Sequence, residues 1–115
     1  MAPSRGQDSL ANTIERLRVF RAERGWTAYH QPRHLAVSIA VELGELMEYF
    51  QWGEVTAESR CADPAAFEGV QEELADVAIY ALQLADCLGI DLVVAMNDKI
   101  GKNGLKHPRR QRNAA

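Results

Sequence analysis

The 115-residue chain has only two cysteines, no long apolar run and no surplus of positive charge, and each lack removes a class of protein. Cys61 and Cys87 come without the second pair that a zinc site needs, so they read as thiols of a reducing compartment rather than as a disulfide framework. No segment approaches the ~20 apolar residues of a membrane span, and the opening "MAPSRGQDS" lacks the apolar centre of a secretory signal. The expectation is a cytoplasmic protein with no membrane partner. A net charge of -3 speaks against a nucleic-acid polymer as partner, because such binding rests on a dominating positive face. Sustained strand alternation, internal repeats and low-complexity tracts are also missing, which leaves an all-α chain.

What is present is ordinary in amount and unusual in placement. Hydrophobic residues make up 47% and charged residues 25%, as in a globular domain. The length suits one domain, near the size at which a subunit leans on a copy of itself. Four segments carry helical periodicity. The first starts from Asp8 or Ser9 as N-cap, places Leu10, Ile14, Leu17 and Phe20 on one stripe, and stops near Gly25. After the loop "WTAYHQP", Pro32 opens a second helix that runs through Trp52. The segment "GEVTAESRCAD" reads as a loop. Asp63 and Pro64 then serve as N-cap and first-turn proline of a third helix that continues to Gly89, and Asp91 caps a fourth that ends at Gly104.

The second helix, "RHLAVSIAVELGELMEYFQW", is apolar on most sides except for one line: Ser38, Glu42, Glu45, and a turn further on Tyr49 and Trp52. The third has a matching line of Glu73, Asp76, Tyr80 and Gln83. Residues three apart share a helix face, so Glu42 with Glu45, and Glu73 with Asp76, form two carboxylate pairs on two greasy helices. Four acids facing one another without compensation repel, and burying them costs stability, so a cation is expected. Carboxylates with no His or Cys among them favour a hard ion. Mg²⁺, which keeps waters and takes substrate phosphate oxygens, fits, with Mn²⁺ as a substitute. A di-iron or di-manganese bundle would ask for Glu-x-x-His, and the third position here is Glu45 or Asp76. Read blandly, acids at this spacing decorate a solvated helix face, and the chain is then a non-catalytic helical interaction module.

Three phrases, "ERGWTAYHQPRHLAVSIAVELGELMEYFQW", "QEELADVAIYALQLADCLGIDL" and "KIGKNGLKHP", resemble the MazG-like, all-α nucleoside triphosphate pyrophosphohydrolase family, and its small dCTPase branch in particular. The likeness runs over about residues 14–108. It implies a Mg²⁺-dependent hydrolase that splits a nucleoside triphosphate, dCTP or a modified nucleotide, into monophosphate and pyrophosphate. It implies further that Glu42, Glu45, Glu73 and Asp76 hold the metal. Trp26 and Trp52 would enclose the base, with Tyr80 beside the nucleotide, Lys99 and Asn103 near the phosphates, and His30 standing where the family has its histidine. Glu45 is either a ligand or the base that orients the attacking water. Two departures stand out: His107 replaces the tyrosine of the family's terminal "KYP" or "RYP", and Leu17 stands where the dCTPase branch can carry a histidine.

The expected architecture is a four-helix subunit whose second and third helices pack antiparallel. Residues 1–108 form the domain and residues 109–115 a basic C-terminal tail; the basic stretch "KHPRRQRNAA" is either a solvated terminus or a lid or phosphate contact. The apolar girth of the second helix exceeds what its neighbours can cover, so association is expected, and the resemblance makes it a homotetramer built as a dimer of dimers.

Overall fold

The computed structural model describes residues 9–29 and 31–110, and the expected contact of His30 lies outside them. The described residues form five α-helices and one 3₁₀ turn: α1 (Leu10–Glu23), the 3₁₀ turn (Thr27–Tyr29), α2 (Pro32–Glu48), α3 (Ser59–Ala62), α4 (Pro64–Cys87) and α5 (Leu92–Lys106). The all-α expectation holds.

Local chemistry fixes most boundaries. The Ser9 side chain accepts from Asn12 N–H, that of Asp63 from Ala66 N–H and that of Asp91 from Val94 N–H, each answering an orphan donor of a first turn. Pro32 and Pro64 occupy first-turn positions where no N–H is needed. Two helices end in the same way. Gly25, at φ 66°, donates to Ala22 C=O while Trp26 N–H reaches back to Arg21 C=O at 2.9 Å. Gly89, at φ 68°, donates to Asp86 C=O while Ile90 N–H reaches Ala85 C=O at 2.8 Å. In both, a left-handed glycine turns the chain back over its own helix.

Three boundaries differ from the sequence reading. The segment read as a loop contains the single turn α3, where Arg60 lies over the Phe67 ring at 4.6 Å. Helix α5 passes through Gly104 to Lys106. Helix α2 stops at Glu48 instead of Trp52, because the N–H groups of Tyr49, Phe50 and Gln51 bond to carbonyls only three residues back. That tightening takes Trp52 out of helical register with Glu42 and Glu45, and it stands 90% exposed.

Helices α2 and α4 make the main pairing of the fold. Tyr49 lies on Gly69 while Glu42 meets Glu73 and Asp76, so α2 advances as α4 recedes and the two are antiparallel. Gly69 is needed there, because a Cβ would run into the Tyr49 ring and hydroxyl. Helix α1 packs on the C-terminal half of α4, held by Asp86, which accepts from both Arg18 and Arg21. Helix α5 leaves α4 at 102° and buries none of its residues within the chain. No single described helix is long and apolar enough to cross a membrane.

The described core is small. Leu35 and Ala85 are its buried apolar residues, whereas Val37, Val41 and Met47 on α2 and Ile100 on α5 lie open. The accessible surface is 9410 Å², against roughly 6,300 Å² for a compact monomer of this mass. The radius of gyration is 17.8 Å, against about 13 Å for a compact 100-residue domain. A chain in this shape leaves unburied much of the apolar surface that would offset its ordering entropy.

Candidate active site

The acid lines of α2 and α4 meet where the two helices cross. Glu42, Glu73 and Asp76 each offer a carboxylate oxygen, and these lie within 4.8 Å of one another, with the residues half-buried. One oxygen each of Glu42 and Glu73 is enclosed without a hydrogen-bond partner. Desolvation, reinforced by the carboxylates of Glu45 and Asp76 and by a hydrogen bond to Glu73, pushes the Glu42 carboxyl up to about 7. Glu73 is also raised, by desolvation first and then by Glu45. Glu45 is thus an electrostatic neighbour of both, on the exposed rim beside Glu48 and Tyr49. Four acids crowd together with no basic side chain among these causes, which is the donor set of a hard divalent cation. The enclosed, unpartnered oxygens of Glu42 and Glu73 fit such an ion, because an ion would answer both.

A cavity of about 430 Å³ opens beside Asp76, in the seam between α1 and α4. Its walls are Leu17, Phe20 and Trp26 on one side and Ile79 and Tyr80 on the other. Trp26 arrives there through the Gly25 turn and packs edge-on against Phe20, with ring centroids 5.5 Å apart. The structure therefore brings Trp26 and Tyr80 together with the acids and leaves three sequence-predicted residues elsewhere. Trp52 is exposed after α2 and does not border the cavity. Lys99 and Asn103 are exposed on α5.

Sequence reasoning missed two features. Phe20 had been placed on the α1 core stripe, yet it lines the cavity, and Gln83 does so too. The clamp at Asp86 was also unforeseen: Arg18 Nε donates to both carboxylate oxygens at 3.1 Å and Arg21 Nη2 to one at 2.9 Å. The signal was there, since Asp86 continues the line of Glu73, Asp76, Tyr80 and Gln83 by one more turn, and Arg18 and Arg21 share a face of α1. Cys61 and Cys87 are exposed and not joined in a disulfide.

An all-α chain with a carboxylate cluster at the crossing of its two longest described helices is the class that fold and site define. The sequence model of the MazG-like family matches residues 37–114, and the chain belongs to that family. Human dCTP pyrophosphatase 1 is 39% identical over 114 residues, covering 93% of this chain and 66% of the human one. The mouse protein of the same name is 41% identical over 90 residues, covering 77% and 53%. The chain thus spans between about half and two thirds of the length of these curated relatives. A pyrophosphatase from Archaeoglobus fulgidus has a solved structure that aligns with a TM-score of 0.75 at 38% identity, over 95% of this chain and 97% of that one.

Proposed function

We propose that the protein is a Mg²⁺-dependent nucleoside triphosphate pyrophosphohydrolase that cleaves a deoxynucleoside triphosphate, dCTP or a modified relative, to the monophosphate and pyrophosphate. The observation that carries this reading is the adjacency of the Glu42, Glu73 and Asp76 carboxylates to an aromatic-walled cavity that begins at Asp76. One end suits a cation with phosphates and the other a flat base. The dCTP pyrophosphatase relatives and the archaeal pyrophosphatase support the same chemistry.

Glu42, Glu45, Glu73 and Asp76 would hold Mg²⁺, or Mn²⁺ in its place. The ion, when bound, would neutralise phosphate charge and make water a better nucleophile. Glu45, which lies on the open rim, would accept the proton of the water that attacks the α-phosphorus. Trp26 and Tyr80 would hold the base between flat surfaces, and such stacking favours no particular base strongly. Lys99 and Asn103 lie on a helix that is open in one chain, and Trp52 and the α2 face are open too. They would complete the site and cover these surfaces in a homotetramer, with α5 meeting the phosphates of a neighbouring copy. Residues 1–108 would act as the domain, in the cytoplasm, with the basic 109–115 tail outside it.

A panel of canonical and modified triphosphates with Mg²⁺, read by pyrophosphate release, tests the function. Hydrolysis in ¹⁸O-water is expected to put the label in the monophosphate, with unlabelled pyrophosphate and no diphosphate. Stepwise release of orthophosphate would overturn the bond assignment. A helical interaction module would turn over nothing, and Mg²⁺ with nucleotide would leave its melting temperature unchanged.

A further inference from the structure

We propose that Gln83 reads the hydrogen-bonding edge of the nucleobase and so sets substrate preference; the inference rests on the hydrolase reading above. The cavity walls of Leu17, Phe20, Trp26 and Ile79 are apolar or aromatic and can grip a ring by its faces, but faces do not tell one base from another. Discrimination needs a polar group at the edge, and besides Asp76 at the acid end the cavity offers Thr13, Arg16, Tyr80 and Gln83. Gln83 lines the same cavity and is only 6% exposed, and its Oε1 is enclosed with no hydrogen-bond partner.

An amide oxygen in that state forfeits its hydration without a replacement, and folded proteins seldom tolerate that without a reason. A ligand in the cavity supplies the reason. A carboxamide carries an acceptor and two donors in one plane, and the order of donors and acceptors along the edge differs from base to base, so a carboxamide held in one orientation pairs with some bases and not with others. Its position along α4 also suits the task. Gln83 follows Asp76 by seven residues, two helical turns or about 10 Å. The group facing the base therefore sits well away from the group facing the phosphates, as an extended nucleotide requires. Phosphate and base are thus addressed from one face of one helix.

The test compares the unaltered protein with Gln83→Met, which keeps length and volume but removes both hydrogen-bonding functions. Each is assayed with dCTP, dTTP, dATP, dGTP and an abasic deoxyribose triphosphate. Binding of non-hydrolysable α,β-imido analogues is measured by calorimetry, and melting temperature without ligand is recorded. The expected result is a roughly 10- to 100-fold loss in kcat/KM for the preferred base, matching the worth of one bidentate contact. The spread among bases should shrink with it, the imido analogues should lose affinity in parallel, and the abasic substrate should be unaffected. An unchanged ranking in an active Gln83→Met protein overturns the assignment of Gln83 alone. So does a fall in melting temperature with the ranking preserved, since Gln83 would then serve only the packing of α1 on α4. Failure of the unaltered protein to turn over any triphosphate overturns the hydrolase reading itself.

Discussion

Helix α4 carries two carboxylate stations in opposite electrostatic states. At Asp86 the hydrogen bonds from Arg18, then those from Arg21, hold the carboxyl below its usual range against the cost of burial. Ten residues earlier, Asp76 and Glu73 face Glu42 and Glu45, and the same kind of group is pushed the other way, Glu42 to about 7. The Asp86 station is satisfied inside the chain and fastens α1 to α4. The acid cluster is left unsatisfied by the chain, so its neutralisation must come from protons or from a cation. One helix thus separates a charge used to hold the fold from charges that the described residues leave without a counterion.

The largest way to break this contrast is to neutralise the acid cluster. Glu42→Gln or Asp76→Asn is expected to lower pyrophosphate release at least about 100-fold, as loss of a metal ligand does. The melting temperature without metal should stay equal or rise, since repulsion is relieved. Full activity in both variants would remove the proposed metal site.

The same operation at the other station should do the reverse. Asp86→Ala leaves the buried Arg21 without its partner, which is expected to cost about 2–3 kcal/mol in urea unfolding, while the exposed Arg18 is simply released to solvent. Stability within 0.5 kcal/mol of the parent, on the order of a surface change, would show that the clamp holds nothing.

One turn before the acid cluster, the contrast can be sharpened through Gly69. A Cβ there meets the Tyr49 ring, so Gly69→Ala is expected to cost about 1–3 kcal/mol and to spread α2 from α4. Metal affinity should fall with it. Adding Tyr49→Ala should restore part of both, and a double variant no better than the single one would deny the contact its role.

The smallest effect is the dependence of stability on pH. Glu42 and Glu73 hold protons more tightly in the folded chain than in an unfolded one, so without metal the melting temperature is expected to fall as pH rises from about 5 through 7. Asp86 works in the other direction: its contribution is present above the ordinary aspartate range and is lost as pH falls through its lowered value. Excess Mg²⁺ should flatten the upper limb and leave the acid limb in place. A metal-free profile that rises between pH 5 and 7 would contradict the crowding of the four acids.

Much of the site was legible because it repeats at the period of a helix. Glu42 with Glu45 and Glu73 with Asp76 declare their faces by spacing alone, and Tyr80 and Gln83 extend one of them. The end of α2 falls at Glu48 and not at Trp52, because a helix end is decided by whether the last carbonyls are met four or three residues on, and apolar periodicity does not register that choice. Phe20 looked like a stripe of core. Its role at the cavity depends on Trp26 being turned back by Gly25, a matter of two backbone hydrogen bonds.

The sequence by itself determined the all-α class, a first cap at Asp8 or Ser9, the caps at Asp63 and Asp91, the helix ends near Gly25 and Gly89, and the two acid lines. All of these follow from side-chain type and from separations of a few residues along one chain. Only the tertiary structure decided that Glu42 meets Glu73 and Asp76, that Arg18 and Arg21 close on Asp86, and that the orphaned oxygen of Gln83 borders a cavity. Those facts join residues roughly 30 to 70 positions apart, and such meetings are set by how helices cross, which depends on small side chains such as Gly69 and on the direction each cap gives the chain.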